Sequence, residues 1–182
     1  MTSLEHSLIN RARLGTDDQA FGRLVSIYQS AVRGFLRRLT AGDEALADDL
    51  AQDTFLTAYR RISSFRGDGS FQGWLFRIAY TSFLQHRRKR MNKEIASDDD
   101  LLLQKETSEA PPLHARLDVE SAMTRLKEAE RACISLCFTY GMSHREAAET
   151  LDIPIGTVKS HILRGKETLK VILSSWQGEM IS

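Results

Sequence analysis

The sequence predicts an all-α protein: two small helical domains joined by a flexible acidic linker. Three observations lead there. Apolar residues recur at helical spacing through two blocks, 18–92 and 117–174. The stretch 93–116 between them has no sustained period and carries Ser97-Asp98-Asp99-Asp100 and Glu109-Ala110-Pro111-Pro112, the composition of a linker. Strand signals are few, and a chain of 182 residues has room for one ordinary domain or two small ones.

Taken in order, residues 18–39 form the first expected helix, with Phe21, Leu24, Val25, Tyr28, Val32, Phe35, Leu36 and Leu39 on one stripe and Asp17 or Asp18 as its cap. Ala41-Gly42-Asp43 interrupts the stripe. A second helix, 44–62, is expected to bury Leu46, Leu50, Phe55, Ala58, Tyr59 and Ile62. Arg66-Gly67-Asp68-Gly69-Ser70 reads as a turn, and Phe71 to Arg90 as a third helix with Trp74, Leu75, Ile78, Ala79, Phe83 and Leu84 inside. Within the linker, Leu101-Leu102-Leu103 is either a short contact element or a turn of helix. Beyond it, Val119, Ala122, Met123, Leu126, Ala132, Cys133, Leu136, Cys137 and Tyr140 continue helical spacing up to Gly141. Ser143 with Glu146 gives a capping-box pattern for a short helix ending at Leu151. A last helix runs from about Thr157 to Ser174.

Several function classes are excluded early. Apolar runs are far below the roughly 20 residues of a membrane span, and no basic segment followed by an apolar core opens the chain. Two cysteines, Cys133 and Cys137, cannot staple a secreted fold, so a reducing cytoplasm is the expected compartment. Four apart on an apolar helix face, they read as buried small hydrophobes. The five histidines lack metal-ligand spacing, and no phosphate loop, nucleophile elbow or acid–base carboxylate pair is present. Neither a cofactor nor a metal is expected, and no enzymatic activity.

The near-neutral net charge of +1 hides a sorted distribution. Residues 1–92 carry 14 basic and 9 acidic side chains, the linker 3 and 6, and residues 117–182 carry 8 and 9. Asp43, Glu44, Asp48, Asp49 and Asp53 crowd eleven residues, whereas Gly69 to Lys93 holds Arg77, Arg87, Arg88, Lys89, Arg90 and Lys93 with no acid. Lys159, Arg164, Lys166 and Lys170 form a second basic cluster. Any one such cluster is ordinarily a solvated helix face. Two separate basic surfaces suit a polyanion gripped twice.

The C-terminal block has a helix-turn-helix plan. Ala148 is the small residue expected at the helix crossing, and Leu151, Ile153, Val158 and Ile162 face inward, with Gly165 on the same side. Lys159, Ser160, Leu163, Arg164, Lys166 and Glu167 are left outward. Arg164 can pair with guanine in two-pronged fashion, Ser160 can read either way, and Leu163 can meet a thymine methyl. The turn position that commonly holds left-handed Gly is Asp152, which tolerates that conformation with some strain.

The runs Asp48-Asp49-Leu50-Ala51-Gln52-Asp53-Thr54-Phe55-Leu56 and Phe65-Arg66-Gly67-Asp68-Gly69-Ser70-Phe71-Gln72-Gly73-Trp74-Leu75-Phe76-Arg77-Ile78-Ala79 resemble region two of the bacterial sigma factors. Ile153-Pro154-Ile155-Gly156-Thr157-Val158-Lys159-Ser160-His161 resembles region four. In this order and at this separation they resemble the extracytoplasmic-function class of the sigma-70 family, over about 18–92 and 117–173. The resemblance implies region two in residues 1–92, a linker in 93–116 and region four in 117–182. It also implies an alternative sigma factor that binds core RNA polymerase, selects promoters and helps melt them, serving a stress or envelope regulon.

By the same resemblance, Asp48, Asp49, Gln52, Asp53 and Phe55 would dock on the clamp coiled coil of the largest polymerase subunit. Region four would rest on the flap of the second-largest. Thr157, Lys159, Ser160, Leu163, Arg164 and Lys166 would meet the minus-thirty-five element. The loop Phe65–Phe71 would capture an extruded minus-ten base between glycine backbone and aromatic rings, with Phe71, Trp74 and Phe76 as stacking candidates. Arg77, Thr81, Arg87 and Arg88 would line the melted strand, Thr81 standing where the family usually has Asn. Lys127 stands where the family commonly has Pro. The acidic linker either mimics nucleic acid in the polymerase cleft or is a solvated spacer. Many relatives are held by an anti-sigma factor, which the resemblance implies for this chain too, and no membrane insertion is expected. Two competing readings are weaker. A response-regulator-type transcription factor needs a strand–helix sensor that is absent here, and a nucleic-acid enzyme needs a catalytic constellation.

Overall fold

The computed structural model describes residues 3–15, 18–96 and 115–179. Among these no strand occurs. The front lobe comprises α1 (Ser3–Arg13), α2 (Asp18–Leu39), α3 (Glu44–Arg61), a 3-10 turn (Ile62–Ser64) and α4 (Phe71–Ala96). The rear lobe comprises α5 (Ala115–Thr124), α6 (Glu128–Ile134), a π-helical turn (Ser135–Thr139), α7 (His144–Leu151) and α8 (Ile155–Glu179). Helices α4 and α5 thus reach a few residues into the expected linker, while Leu101–Leu103 lies outside the described residues, as does Asp17.

The stripe on α2 buries Phe21, Leu24, Val32, Phe35, Leu36 and Leu39, as its period requires. The chain then turns through Ala41 and Gly42, both at positive φ, and Asp43 caps α3 by accepting from the Leu46 N–H at 3.0 Å. Phe76 of α4 is fully buried beside Phe35 and Phe71 beside Tyr28, and each contributes about 1.5–3 kcal/mol of transfer free energy. Tyr59 corrects an expectation. Placed in the core by its spacing, it is 49% exposed, because its ring packs edge-on against Phe21 while its hydroxyl donates to Asp18 at 2.8 Å.

One element went unforeseen. Helix α1 packs Leu8, Ile9 and Ala12 onto the front lobe. In the rear lobe the expected continuous helix from Leu117 to Tyr140 is broken. Lys127 leaves the helical region, its N–H donates to the Glu130 carboxylate at 3.3 Å, and α6 starts afresh there. The N–H that a proline would lack is therefore used. Val119, expected inside, is 50% exposed.

The two lobes are packed on one another, a contact not expected from the linker. Their apolar cores merge: Ala132, Cys133, Leu136, Met142 and Leu151 join the cluster built on α2 and α4. Arg131 is the polar anchor. Although 5% exposed, it donates to the carbonyls of Arg38 (2.9 Å) and Leu39 (3.2 Å) at the end of α2, and to those of Thr124 (2.8 Å) and Leu126 (2.7 Å) at the end of α5. A guanidinium at two helix C-termini satisfies carbonyls that have no partner in their own helix. Tyr140 is the second anchor. Its hydroxyl donates to the Ala31 carbonyl at 3.0 Å and its ring lies 4.6 Å from Phe76. Gly34 makes room, since a Cβ there would stand 3.0 Å from the Tyr140 oxygen. Three ion pairs rim the seam: Arg38–Glu120 at 2.7 Å, Arg77–Asp152 at 3.4 Å, and Arg87–Glu128. The rim pairs are largely solvated and add little.

Candidate nucleic-acid interface

The rear lobe's helix-turn-helix is built from local signals. Ser143 accepts from the Glu146 N–H at 3.2 Å and its own N–H donates to the Glu146 carboxylate at 2.8 Å, so the capping box forms. Those bonds hold the Glu146 carboxyl below its ordinary pKa. Asp152 sits at φ 57°, ψ 45°, the left-handed cap anticipated from sequence, and its carboxylate reaches Arg77 of the front lobe. Helix α8 begins at Ile155, two residues earlier than expected.

Ala147 is fully buried, and Ala148 is half-buried against the same core. Leu151, Val158 and Ile162 face in, with Ile153 half-buried. Gly165 touches α6 so closely that a Cβ would stand 2.5 Å from Ile134 Cδ1.

Opposite that packed face, Lys159, Ser160, Leu163, Arg164, Lys166 and Glu167 are all exposed, and Thr157 is half-buried at the helix start. Leu163, an apolar side chain 60% exposed among charges, has no packing role. Arg164 is steered rather than free: its Nη2 lies 3.1 Å from His161 Nδ1 and its Nε 3.8 Å from the Glu130 carboxylate. Burial, then the Arg164 charge, hold the His161 pKa below the usual histidine value. Lys166 places its ammonium 4.4 Å from the Phe138 ring centroid, a cation–π contact within the lobe.

In the front lobe, the loop 65–70 stands on an aromatic floor. Phe65, Phe71 and Trp74 contact one another with centroids 5.3–5.4 Å apart. Arg66, Gly67, Asp68 and Gly69 are exposed above it, and both glycines adopt left-handed φ (84° and 88°). Ser70 closes the loop by accepting from the Gly73 N–H at 3.0 Å. Phe71 and Phe76, expected as stacking rings, are 0% exposed; core packing removes both from base contact. Phe65 is 4% exposed and likewise floor. Trp74, half-buried, keeps part of its ring accessible.

Along α4, Arg77, Thr81, Arg87 and Arg88 are exposed on the basic segment. Arg77 and Arg87 are engaged by Asp152 and Glu128 of the rear lobe, and the Thr81 hydroxyl donates to its own helix at the Arg77 carbonyl, 2.8 Å. A cleft of about 320 Å³ lined by Arg77, Tyr80, Thr81, Thr150 and Asp152 marks where α4 meets the turn.

Asp48, Asp49, Gln52 and Asp53 are exposed on α3. The first three rim a groove of about 520 Å³ between α2 and α3 whose floor is Phe21, Val25, half-buried Phe55 and Leu56. Asp53 stands outside it, and Asp48 pairs with Arg33 at 3.3 Å. An apolar groove with a carboxylate rim suits a basic helical partner.

Nothing among the described residues gathers three or more metal-ligating side chains. Cys133 is fully buried and burial pushes its thiol up to about 12, while Cys137 is half-buried with its pKa also raised by burial. No described helix is long and apolar enough to cross a membrane. Sequence reasoning missed Arg131 and placed Tyr140 on the apolar stripe without its bond across the seam; helix-interior Gly34, beneath the Tyr140 hydroxyl, was the available signal.

Residues 24–93 match the family described as Sigma-70 region 2, and residues 116–169 that described as Sigma-70, region 4. The ECF RNA polymerase sigma-E factor of Haemophilus influenzae is 34% identical over 179 residues, 91% of this chain and 93% of that one. The RNA polymerase sigma-H factor of Pseudomonas aeruginosa is 32% identical over 178 residues, 91% of each. Among solved structures, the sigma factor RpoE of Bartonella quintana, in complex with the anti-sigma factor NepR, superposes with a TM-score of 0.70 at 27% identity, covering 85% of this chain and 96% of that one. CnrH, in complex with the cytosolic domain of CnrY, gives 0.69 at 27% identity, covering 95% and 99%. The helix with its outward basic face, the glycine loop on its aromatic floor and the acid-rimmed groove therefore occur in a chain that belongs to the extracytoplasmic-function class of the sigma-70 family, the alternative sigma factors of transcription initiation.

Proposed function

We propose that residues 1–92 and 117–182 act as two tethered grips on one promoter, in the cytoplasm, with all bond chemistry left to the polymerase. The observation that carries this is the outward set on α8: Lys159, Ser160, Leu163, Arg164 and Lys166 are exposed while the opposite face is locked into the lobe. Thr157, Lys159, Ser160, Leu163, Arg164 and Lys166 meet the minus-thirty-five element in the major groove. Arg66, Gly67, Asp68, Gly69, Ser70 and the open edge of Trp74 receive an extruded minus-ten base over the floor made by Phe65 and Phe71. Arg77, Thr81, Arg87 and Arg88 follow the separated strand. Asp48, Asp49, Gln52 and Phe55 dock the polymerase clamp coiled coil at the α2–α3 groove, with Asp53 beside it, while the rear lobe rests on the flap.

Geometry adds a requirement. Elements centred near positions ten and thirty-five lie about 25 base pairs apart, on the order of 85 Å at about 3.4 Å per step. Lobes in contact cannot hold both, so they part on the polymerase. The 18 residues from 97 to 114 reach at most about 60 Å when extended, and the lobes' own breadth covers the remainder. Arg77 and Arg87 then exchange Asp152 and Glu128 for phosphates. The neighbour solved with the anti-sigma factor NepR supports a protein partner of that kind for this chain as well.

Run-off transcription with core polymerase and a promoter library tests the reading. The expected result is transcripts enriched for two boxes at one fixed spacing. Absence of any promoter-dependent transcript sinks it.

A further inference from the structure

Helix α1 precedes the 24–93 span that matches region 2, and nothing in the promoter reading uses it. Its position is informative. Leu8 and Ile9 are 2% exposed, and the helix packs on α2 and on the 3-10 turn Ile62–Ser64, which leads directly into loop 65–70. On α2, Tyr28 donates its hydroxyl to the Glu5 carboxylate of α1. The same Tyr28 ring meets Phe71 with centroids 5.4 Å apart, and Phe71 meets Phe65 and Trp74 at 5.3 Å and 5.4 Å. A continuous line of contact runs from one carboxylate on α1 to the floor of the base-receiving loop. Burial and then Glu5 push the Tyr28 hydroxyl well above its ordinary pKa, so it stays a donor.

We infer that Glu5 and Tyr28 are positioning residues for minus-ten capture: α1, through the Glu5–Tyr28 hydrogen bond, fixes the ring on which Phe71 rests and so sets the affinity of loop 65–70 for unpaired DNA. The inference rests on the reading of that loop under the proposed function. Its physical basis is preorganisation. A floor held in one arrangement does not have to be ordered when the base arrives, and the ordering cost is removed from binding.

The test uses holoenzyme and two probes: a fork with a duplex upstream part and a single-stranded minus-ten overhang, and the upstream duplex alone. Tyr28→Phe removes only the hydroxyl, Glu5→Ala removes the acceptor, and Glu5→Gln keeps an acceptor oxygen. Tyr28→Phe and Glu5→Ala are expected to weaken fork binding about three- to tenfold, the reach of one hydrogen bond, with Glu5→Gln recovering most of it. Duplex binding, affinity for core polymerase and melting temperature are expected to hold. Fork binding unchanged in both variants, or falling only in step with melting temperature or core affinity, overturns the inference. Asp68→Ala, at the exposed loop tip, separates the two layers. If it weakens the fork and Tyr28→Phe does not, the role of α1 alone fails; if Asp68→Ala is also silent, the loop reading fails and takes the inference with it.

Discussion

The rear lobe presents the residues proposed to read duplex DNA already in place, while the front lobe keeps the rings beneath its proposed base-receiving loop inside. On α8, Leu163 and Arg164 stand in solvent on a helix whose other face is pinned by Gly165 against Ile134. On the front lobe, Phe65 and Phe71 are buried, and only the polar loop tip and part of Trp74 face outward. The difference suits the two proposed tasks. A groove of intact duplex is read by a rigid protruding face, whereas an extruded base needs a recess, and a recess is made by residues that are themselves covered.

The contrast also orders the expected effects of substitution. The largest comes from the seam, which neither site shows. Arg131→Ala removes four hydrogen bonds to carbonyls at the ends of α2 and α5, two of them buried, and a loss of about 3 kcal/mol or more in unfolding free energy is expected by urea denaturation. A loss under about 0.5 kcal/mol, the range of an ordinary surface change, contradicts the anchor. Gly165→Val forces a branched side chain into Ile134 and is expected to cost about 1–3 kcal/mol and weaken upstream binding by tilting α8. Arg164→Ala should leave stability alone but lower affinity for the upstream duplex by about 1–3 kcal/mol, with loss of base preference at one position in a binding-site selection. Unchanged preference there removes Arg164 from the reading set. Arg88→Ala, on the segment proposed to follow the separated strand, should weaken binding evenly across sequences and reduce the salt slope by about one. A change in base preference in that variant would blur the distinction between the lobes.

How much of this the sequence carried depends on how each residue is used. Helix α2 was legible because one side faces the core and the other water, which leaves a clean stripe. Helix α4 was found but its interior misjudged, since it is packed by α2, α3 and α7 and its rings are covered on several sides; Phe76 looks the same whether it stacks on a base or on Tyr140. Helix α1 has three buried residues and charged neighbours, too thin a stripe to stand out. The rear lobe's outward set was read correctly from amphipathicity because nothing else packs there. Arg131 was invisible for the opposite reason. A lone arginine in a charged helix reads as surface, and only the ends of α2 and α5 meeting over it make it an anchor. Asp48, Asp49, Gln52 and Asp53 of α3 all stand exposed, but the apolar groove that gives the first three a shared edge is a property of two helices together.

The claim on which the rest depends is that the lobes, joined in the free chain, part to hold two distant elements. Dyes placed through Arg60→Cys and Glu149→Cys, both exposed and on opposite lobes, report that distance by energy transfer. Efficient transfer in the free chain, collapsing when core polymerase and promoter are added, is the predicted result. Transfer that stays high in a holoenzyme actively transcribing from its promoter would contradict the account.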